Sequence, residues 1–247
     1  MTSTTGNRND SSTVHASIPT RGQLIVDGHE VSWLRDGDLD GPILLLAHGA
    51  GAPCSHPFMQ STAQSLRDRG VGVVRWNFPY METNFRQRAR RPPDREPLLL
   101  ATYRAVIDCV HSWRPRARLV IGGKSMGGRM ASQLLASEPT TRAAGAVYLG
   151  YPLIAAGRPD RERSAHLPGV QVRQLFVTGT RDPLCPLDRL RKVLDPLSPR
   201  ARLHVVEGGD HSLTVRGSRA AELRDAWLDA VATFVRSEGE SGVPNGI

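Results

Sequence analysis

Residues 122–132 read Gly-Gly-Lys-Ser-Met-Gly-Gly-Arg-Met-Ala-Ser and follow the apolar run Leu119-Val120-Ile121. Within them, Gly123-Lys124-Ser125-Met126-Gly127 is a G-x-S-x-G pattern between a strand signal and a helix-forming stretch. A serine on such a sharp turn presents its hydroxyl as a nucleophile toward an acyl carbon. Gly123 and Gly127 flank it because side chains there would collide as the chain reverses. Gly128 lets the helix behind pack close to the sheet. That helix starts with free N–H groups and the positive end of its dipole at the reacting centre. Ser125 is the candidate nucleophile, and the Met126 N–H a candidate donor to the oxyanion. Chance also supplies this short pattern, so its weight depends on a base, an acid and a second donor elsewhere.

The other parts fall in loops that follow apolar runs. After Pro42–Ala47 comes His48-Gly49-Ala50-Gly51-Ala52. Its small residues allow the backbone to approach a ligand, with Ala50 or Gly51 as the source of a second oxyanion N–H. After Arg173–Val177 comes Thr178-Gly179-Thr180-Arg181-Asp182-Pro183. The Asp182 carboxylate can fix a histidine tautomer, can cap a helix beginning near Pro183, or can do both. After Ala201–Val206 comes Glu207-Gly208-Gly209-Asp210-His211, and His211 is the candidate base. His166 is its main rival, because it follows the run that ends at Leu149. Lys124 points into the site, to solvent or to a carboxylate. Tyr80 and Tyr151 follow strand ends and either line a pocket or pack in the core. Cys54 lies near the His48–Ala52 loop, where a reactive thiol is the alternative to simple packing.

The elements that position these loops can be read from hydrophobic pattern. An uninterrupted apolar run at 42–47, and further mainly apolar runs at 71–78, 118–122, 145–149, 173–177 and 201–206, predict strands buried on both faces. Two strands around Asp27-Gly28-His29 predict an antiparallel pair at one edge. Between the runs lie helical stripes: Met59, Ala63 and Leu66; Leu99, Tyr103, Val106, Val110 and Trp113; Met130, Leu134 and Leu135; and Leu223, Trp227, Ala230, Val231 and Phe234. This alternation predicts an α/β fold, a doubly wound, mainly parallel sheet flanked by helices. Only about two dozen residues separate the runs ending at Leu149 and Val177, leaving little or no room for a cap domain. The arginine-bearing stretch 80–97 is then the other candidate rim.

A chain of 247 residues accommodates one such domain, expected over 21–236, between disordered tails at 1–20 and 237–247. The Ser/Thr/Asn-rich start has no apolar h-region of a secretory signal, and no stretch reaches bilayer-spanning length. A cytoplasmic, membrane-free protein is the expectation. Three widely spaced cysteines, Cys54, Cys109 and Cys185, argue against a disulfide framework or a metal site. The net charge is +8, carried almost wholly by arginine. The run Arg86, Arg88, Arg90, Arg91 and Arg95 reads as a solvated loop or as a rim attracting anions. No zinc-finger or aromatic-basic motif accompanies it, so a nucleic-acid partner is not expected.

The order Ser125, Asp182, His211, together with Leu-Leu-Leu-Ala-His-Gly-Ala-Gly at 44–51 and Asn-Phe-Pro-Tyr-Met-Glu at 77–82, resembles the α/β-hydrolases of the dienelactone-hydrolase-like group. More narrowly it resembles the small-hydrolase family that includes the testis-expressed protein 30 type and the hydrolase-like domain of a chromatin-complex subunit. The segments at 122–132, Leu-Gly-Tyr-Pro-Leu at 149–153, Gly-Thr-Arg-Asp at 179–182 and Gly-Gly-Asp-His at 208–211 carry the rest of the likeness. The resemblance implies Ser125 as nucleophile, Asp182 as acid and His211 as base, in a serine hydrolase acting on a small-molecule carboxylic ester or thioester, with no metal or organic cofactor. Dienelactone hydrolases proper use a cysteine nucleophile, so dienelactone itself is a poor substrate expectation. Gln174 stands where such chains often carry proline, a departure expected to affect packing only. The alternative is a catalytically silent module of this fold that serves interaction.

Overall fold

The computed structural model describes residues 18–237. The tails expected at 1–20 and 237–247 lie outside the described residues, apart from 18–20 and Ser237. Residues 18–20 lie against the sheet, since the Arg35 side chain donates to the Ile18 carbonyl at 2.8 Å and the Pro19 carbonyl at 3.1 Å. At the other end, Arg173 donates to Ser237 Oγ at 2.7 Å.

The centre of the molecule is strand β3 (Ile43–Ala47), buried along its whole length. Ile43, Leu45 and Ala47 face one hydrophobic cluster, while Leu44 and Leu46 face another. This period-2 division of a wholly apolar strand is what a sheet covered on both sides requires. Each fully buried leucine or isoleucine contributes about 1.5–3 kcal/mol, so the strand is held from both faces.

Around it lie β1 (Arg21–Val26), β2 (His29–Asp36), β4 (Gly72–Trp76), β5 (Leu119–Lys124), β6 (Gly145–Leu149), β9 (Gln174–Gly179) and β10 (Ala201–Val206). The eight strands are ordered β1-β2-β4-β3-β5-β6-β9-β10. From β4 to β10 neighbouring strands are parallel, whereas β1 and β2 form the antiparallel edge. Helices α1 (Pro57–Arg67) and α6 (Ala220–Arg236) cover one face through Met59, Ala63, Leu66, Trp227, Leu228 and Val231. Helices α3 (Glu96–Trp113) and α4 (Met126–Ser137) cover the other through Tyr103, Val106, Val110, Met130 and Leu134. The doubly wound, mainly parallel sheet expected from the sequence is therefore the observed fold.

Three elements differ from the pattern. Residues 80–97 are not a continuous loop, because α2 (Pro79–Gln87) occupies the first half. Arg86 sits in that helix and pairs with Glu30 and with Glu82, so the arginine run begins as a fixed surface. A short helix α5 (Leu187–Leu194) follows β9. Between β6 and β9 lies a small hairpin, β7 (Ile154–Ala155) with β8 (Arg158–Glu162). It stands where a cap domain would be, and it is too small to be one. Among the described residues, no helix is long and apolar enough to cross a membrane.

Candidate active site

The carboxyl ends of β3 and β5 lie side by side, with Ala47 opposite Gly123. From this pair the chain leaves toward opposite faces, into α1 and α4, which opens the crevice where ligands sit in such sheets. Ser125 stands in it, between the last residue of β5 and the first of α4. Its backbone is left-handed, with φ 49° and ψ −114°, a conformation that costs a non-glycine residue on the order of 1–3 kcal/mol. The surroundings hold it there. The Ser125 N–H donates to the Leu149 carbonyl of β6 at 2.9 Å, and the Ser125 carbonyl accepts from the Arg129 N–H at 3.0 Å. A Cβ at Gly127 would lie 2.6 Å from the Ala47 carbonyl oxygen, and one at Gly123 would collide with the same oxygen. These two glycines let β3 approach the turn.

His211 Nε2 lies 2.9 Å from Ser125 Oγ. Its Nδ1 lies 3.0 and 2.9 Å from the two carboxylate oxygens of Asp182. The strands feeding these residues end level, Val206 opposite Gly179, and the glycines at 179 and 209 let the two loops touch. A Cβ at Gly179 would collide with the Gly209 carbonyl. The Asp182 side chain is fully buried, while His211 keeps 27% of its side chain exposed. Asp182 Oδ1 also accepts the Leu184 N–H at 2.8 Å. Asp182 thus closes a local turn rather than capping a helix at Pro183, since α5 begins only at Leu187.

The loop after β3 is braced from within. His48 is wholly buried; its Nε2 accepts the Phe78 N–H at 3.0 Å, and its Nδ1 donates to the Gly49 carbonyl at 2.6 Å. One acceptor and one donor fix a neutral ring, and burial pushes its pKa down to about 4 despite the Gly49 contact. The Tyr80 hydroxyl donates to the Ala50 carbonyl at 3.0 Å. Ala50 lines the same cleft as Ser125 and Met126, whereas Gly51 is exposed and does not. Among the described residues, neither the Ala50 nor the Met126 N–H has an acceptor.

None of the three residues considered for the pocket wall lines the cleft. Tyr80 is buried behind the loop it braces. Tyr151 is buried in the core, its hydroxyl donating to the Arg163 carbonyl at 2.9 Å. Lys124 is buried too, and its Nζ donates to the His211 carbonyl at 2.5 Å. Burial lowers its pKa to about 8, against the opposing pull of Asp182 and Asp210. Lys124 thereby ties β5 to the loop that carries the candidate base, a role that residue order alone does not reveal. His166 is turned away from Ser125 and meets Ser132 Oγ at 2.8 Å. Cys54 is buried under Asn77, with its thiol pushed up to about 12 by that burial, so it carries no reactive thiolate. Gln174, buried at the start of β9, accepts the Tyr148 hydroxyl at 3.1 Å.

The cleft beside Ser125 measures about 480 Å³ and is lined by Ala50, Met126, Met130 and Leu184 among others. Pro93, Asp94 and Glu96 form part of its wall, so the 80–97 stretch does contribute a rim, though not through the arginines at 86–91. Sequence pattern missed the share of the hairpin, which brings Ala156 and Arg163 to the cleft. Among the described residues, no group of three His, Cys, Asp or Glu side chains could hold a metal ion.

Sheet order, strand-end loops and the turn at Ser125 define a hydrolase of the α/β type. Residues 40–237 match the model of the alpha/beta hydrolase domain family, and the chain belongs to that family. The fold is similar to that of dienelactone hydrolase from Anabaena variabilis, with 20% identity over 89% of this chain and 97% of that one, at a TM-score of 0.64. It is also similar to a serine hydrolase without a lid from Xanthomonas campestris, with 20% identity over 88% and 94% of the two chains and a TM-score of 0.62. A thioesterase domain from the curacin biosynthetic pathway shares 16% identity over 88% of this chain and 98% of that domain, with a TM-score of 0.62. At these identities the likeness is one of fold.

Proposed function

We propose that this protein is a serine hydrolase that cleaves a small-molecule carboxylic ester or thioester through an acyl-enzyme on Ser125. The observation that carries the reading is the unbroken chain from Ser125 Oγ through His211 to Asp182, with both links within 3.0 Å. Asp182 holds the proton on Nδ1, which leaves Nε2 free to accept. Ser125 Oγ attacks the carbonyl carbon while Nε2 takes its proton. The oxyanion is held by the Met126 N–H, at the start of α4, and by the Ala50 N–H, with Gly51 as the less suitable donor. Collapse expels the alcohol or thiol, which takes the proton from His211. Water, deprotonated by the same nitrogen, then releases the acid and restores Ser125. Neither a metal nor an organic cofactor takes part in these steps.

Among the described residues only the small β7–β8 hairpin stands where a cap would be, which leaves the cleft open and suits small acyl groups rather than long lipid chains. Hydrolysis of a panel of nitrophenyl esters and acyl thioesters tests the reading. Wild-type protein should turn over members of the panel, and Ser125→Ala and His211→Asn should each lower kcat by about 10⁴ or more. Wild-type protein that hydrolyses nothing in the panel, while remaining folded, would favour the interaction module instead.

A further inference from the structure

Two arginines that the hydrolytic steps do not use line the cleft. Arg129 stands one helical turn after Ser125 on α4. Arg163 follows the β7–β8 hairpin, and both line the cleft. Arg163 is fixed by its backbone, its N–H donating to the Leu153 carbonyl at 2.7 Å and its carbonyl accepting from Tyr151 at 2.9 Å. Among the described residues, its guanidinium meets no acceptor. Arg129 has one long ion pair, 3.6 Å from Glu96, and its Nε is buried without a partner. The carboxylates of the cleft are already engaged: Asp94 accepts the Tyr80 N–H at 2.9 Å, and Glu96 accepts Gln133 Nε2 at 3.0 Å. A guanidinium carries five donors in a planar fork that matches a carboxylate. Two of them, half-buried and facing one cleft, are left with almost no acceptor.

We propose that Arg129 and Arg163 form a binding site for a carboxylate at the far end of the acyl chain attached to Ser125. The proposal rests on Ser125 as the acylated residue and names the substrate class: half-esters or half-thioesters of short dicarboxylic acids. Four residues along a helix advance about 6 Å, the span of a few methylene groups. Met126, Met130 and Leu184 provide an apolar wall for those methylenes. Arg163 also loses some of its hold on its proton, through burial first and then through the neighbouring charges of Arg129 and Arg161. A bound anion relieves that repulsion.

The test compares mono-nitrophenyl glutarate with its methyl ester, which has nearly the same shape without the charge. Wild-type kcat/KM should favour the acid by about tenfold or more. In the double variant Arg129→Gln/Arg163→Gln that ratio should fall to near one, while Arg202→Gln, at the exposed position of β10, should leave it unchanged. A wild-type ratio of one, or a ratio retained in the double variant, overturns the proposal and leaves the hydrolase reading intact. Calorimetric titration of glutarate into Ser125→Ala protein decides the site without turnover. Binding that is lost in Ser125→Ala/Arg129→Gln supports it, and no binding to Ser125→Ala overturns it. Failure to cleave either ester strikes at the role of Ser125 instead.

Discussion

A charged lysine buried one residue before the proposed nucleophile is costly to desolvate, and Lys124 offsets part of that cost with the His211 carbonyl, Asp182 and Asp210. Its return is placement: two adjacent residues of one strand end fix both Ser125 and the loop carrying His211. Lys124→Met should therefore lower kcat about tenfold, the usual scale for losing a charge-assisted hydrogen bond, with KM nearly unchanged. A parallel fall in thermal stability and activity, with KM rising, would instead mark Lys124 as structural only. At Ser125 the strained φ of 49° is held for geometry, not stability. Ser125→Gly should raise unfolding free energy by about 1 kcal/mol while abolishing hydrolysis, as chemical denaturation and an ester assay would show. Ser125, Asp182 and His211 were legible as residues because each follows a buried apolar run, and the fold brings strand ends to one edge. Lys124 was not, because a lysine can reach in several directions, and only the position of the His211 carbonyl selects one.

The backbones of the strand-end loops come closest where side chains are absent. The Asp182 loop meets the His211 loop at Gly179 and Gly209, and the turn at Ser125 meets β3 at Gly123 and Gly127. Gly179→Ala should force Asp182 and His211 apart; a loss of about 1–3 kcal/mol in stability and a far larger loss in kcat are expected. Activity that falls only in proportion to the folded fraction would contradict this. The parallel strands and the four long helices were legible because each buries a periodic or continuous apolar set. Helix α2 was not: its buried residues, Pro79, Tyr80, Met81 and Glu82, are consecutive rather than spaced by three or four. Helix α5 spans only two turns, with Leu190 and Leu194 as its buried residues. The β7–β8 hairpin has a polar strand, Arg-Pro-Asp-Arg-Glu, that shows no alternation. Of these three short elements, the β7–β8 hairpin is the one that reaches the cleft, bringing Ala156 and Arg163 to its wall.

For the molecule as a whole, stability should depend on keeping His48 neutral. Its folded pKa of about 4 lies below the ordinary value of 6.5, so between those limits the unfolded chain binds more protons. Stability is then fully present above pH 6.5 and falls as pH drops toward 4, by about 3 kcal/mol for such a displacement. His166, also lowered to about 4 by burial and by Arg129, adds to the same slope by less, being partly exposed. Urea melts across this range should show the loss, and His48→Gln should be less stable at pH 7 yet vary less with pH. This acid sensitivity also bears on the proposed function, because His48 braces the loop that carries Ala50. The central claim is narrower: an acyl group passes through Ser125. Rapid acid quench of wild-type protein during turnover of an activated ester, followed by mass analysis of its peptides, measures this directly. The account predicts an acyl adduct on the peptide bearing Ser125, and none in Ser125→Ala. Turnover without such an adduct, or an adduct on another residue that survives Ser125→Ala, would contradict it.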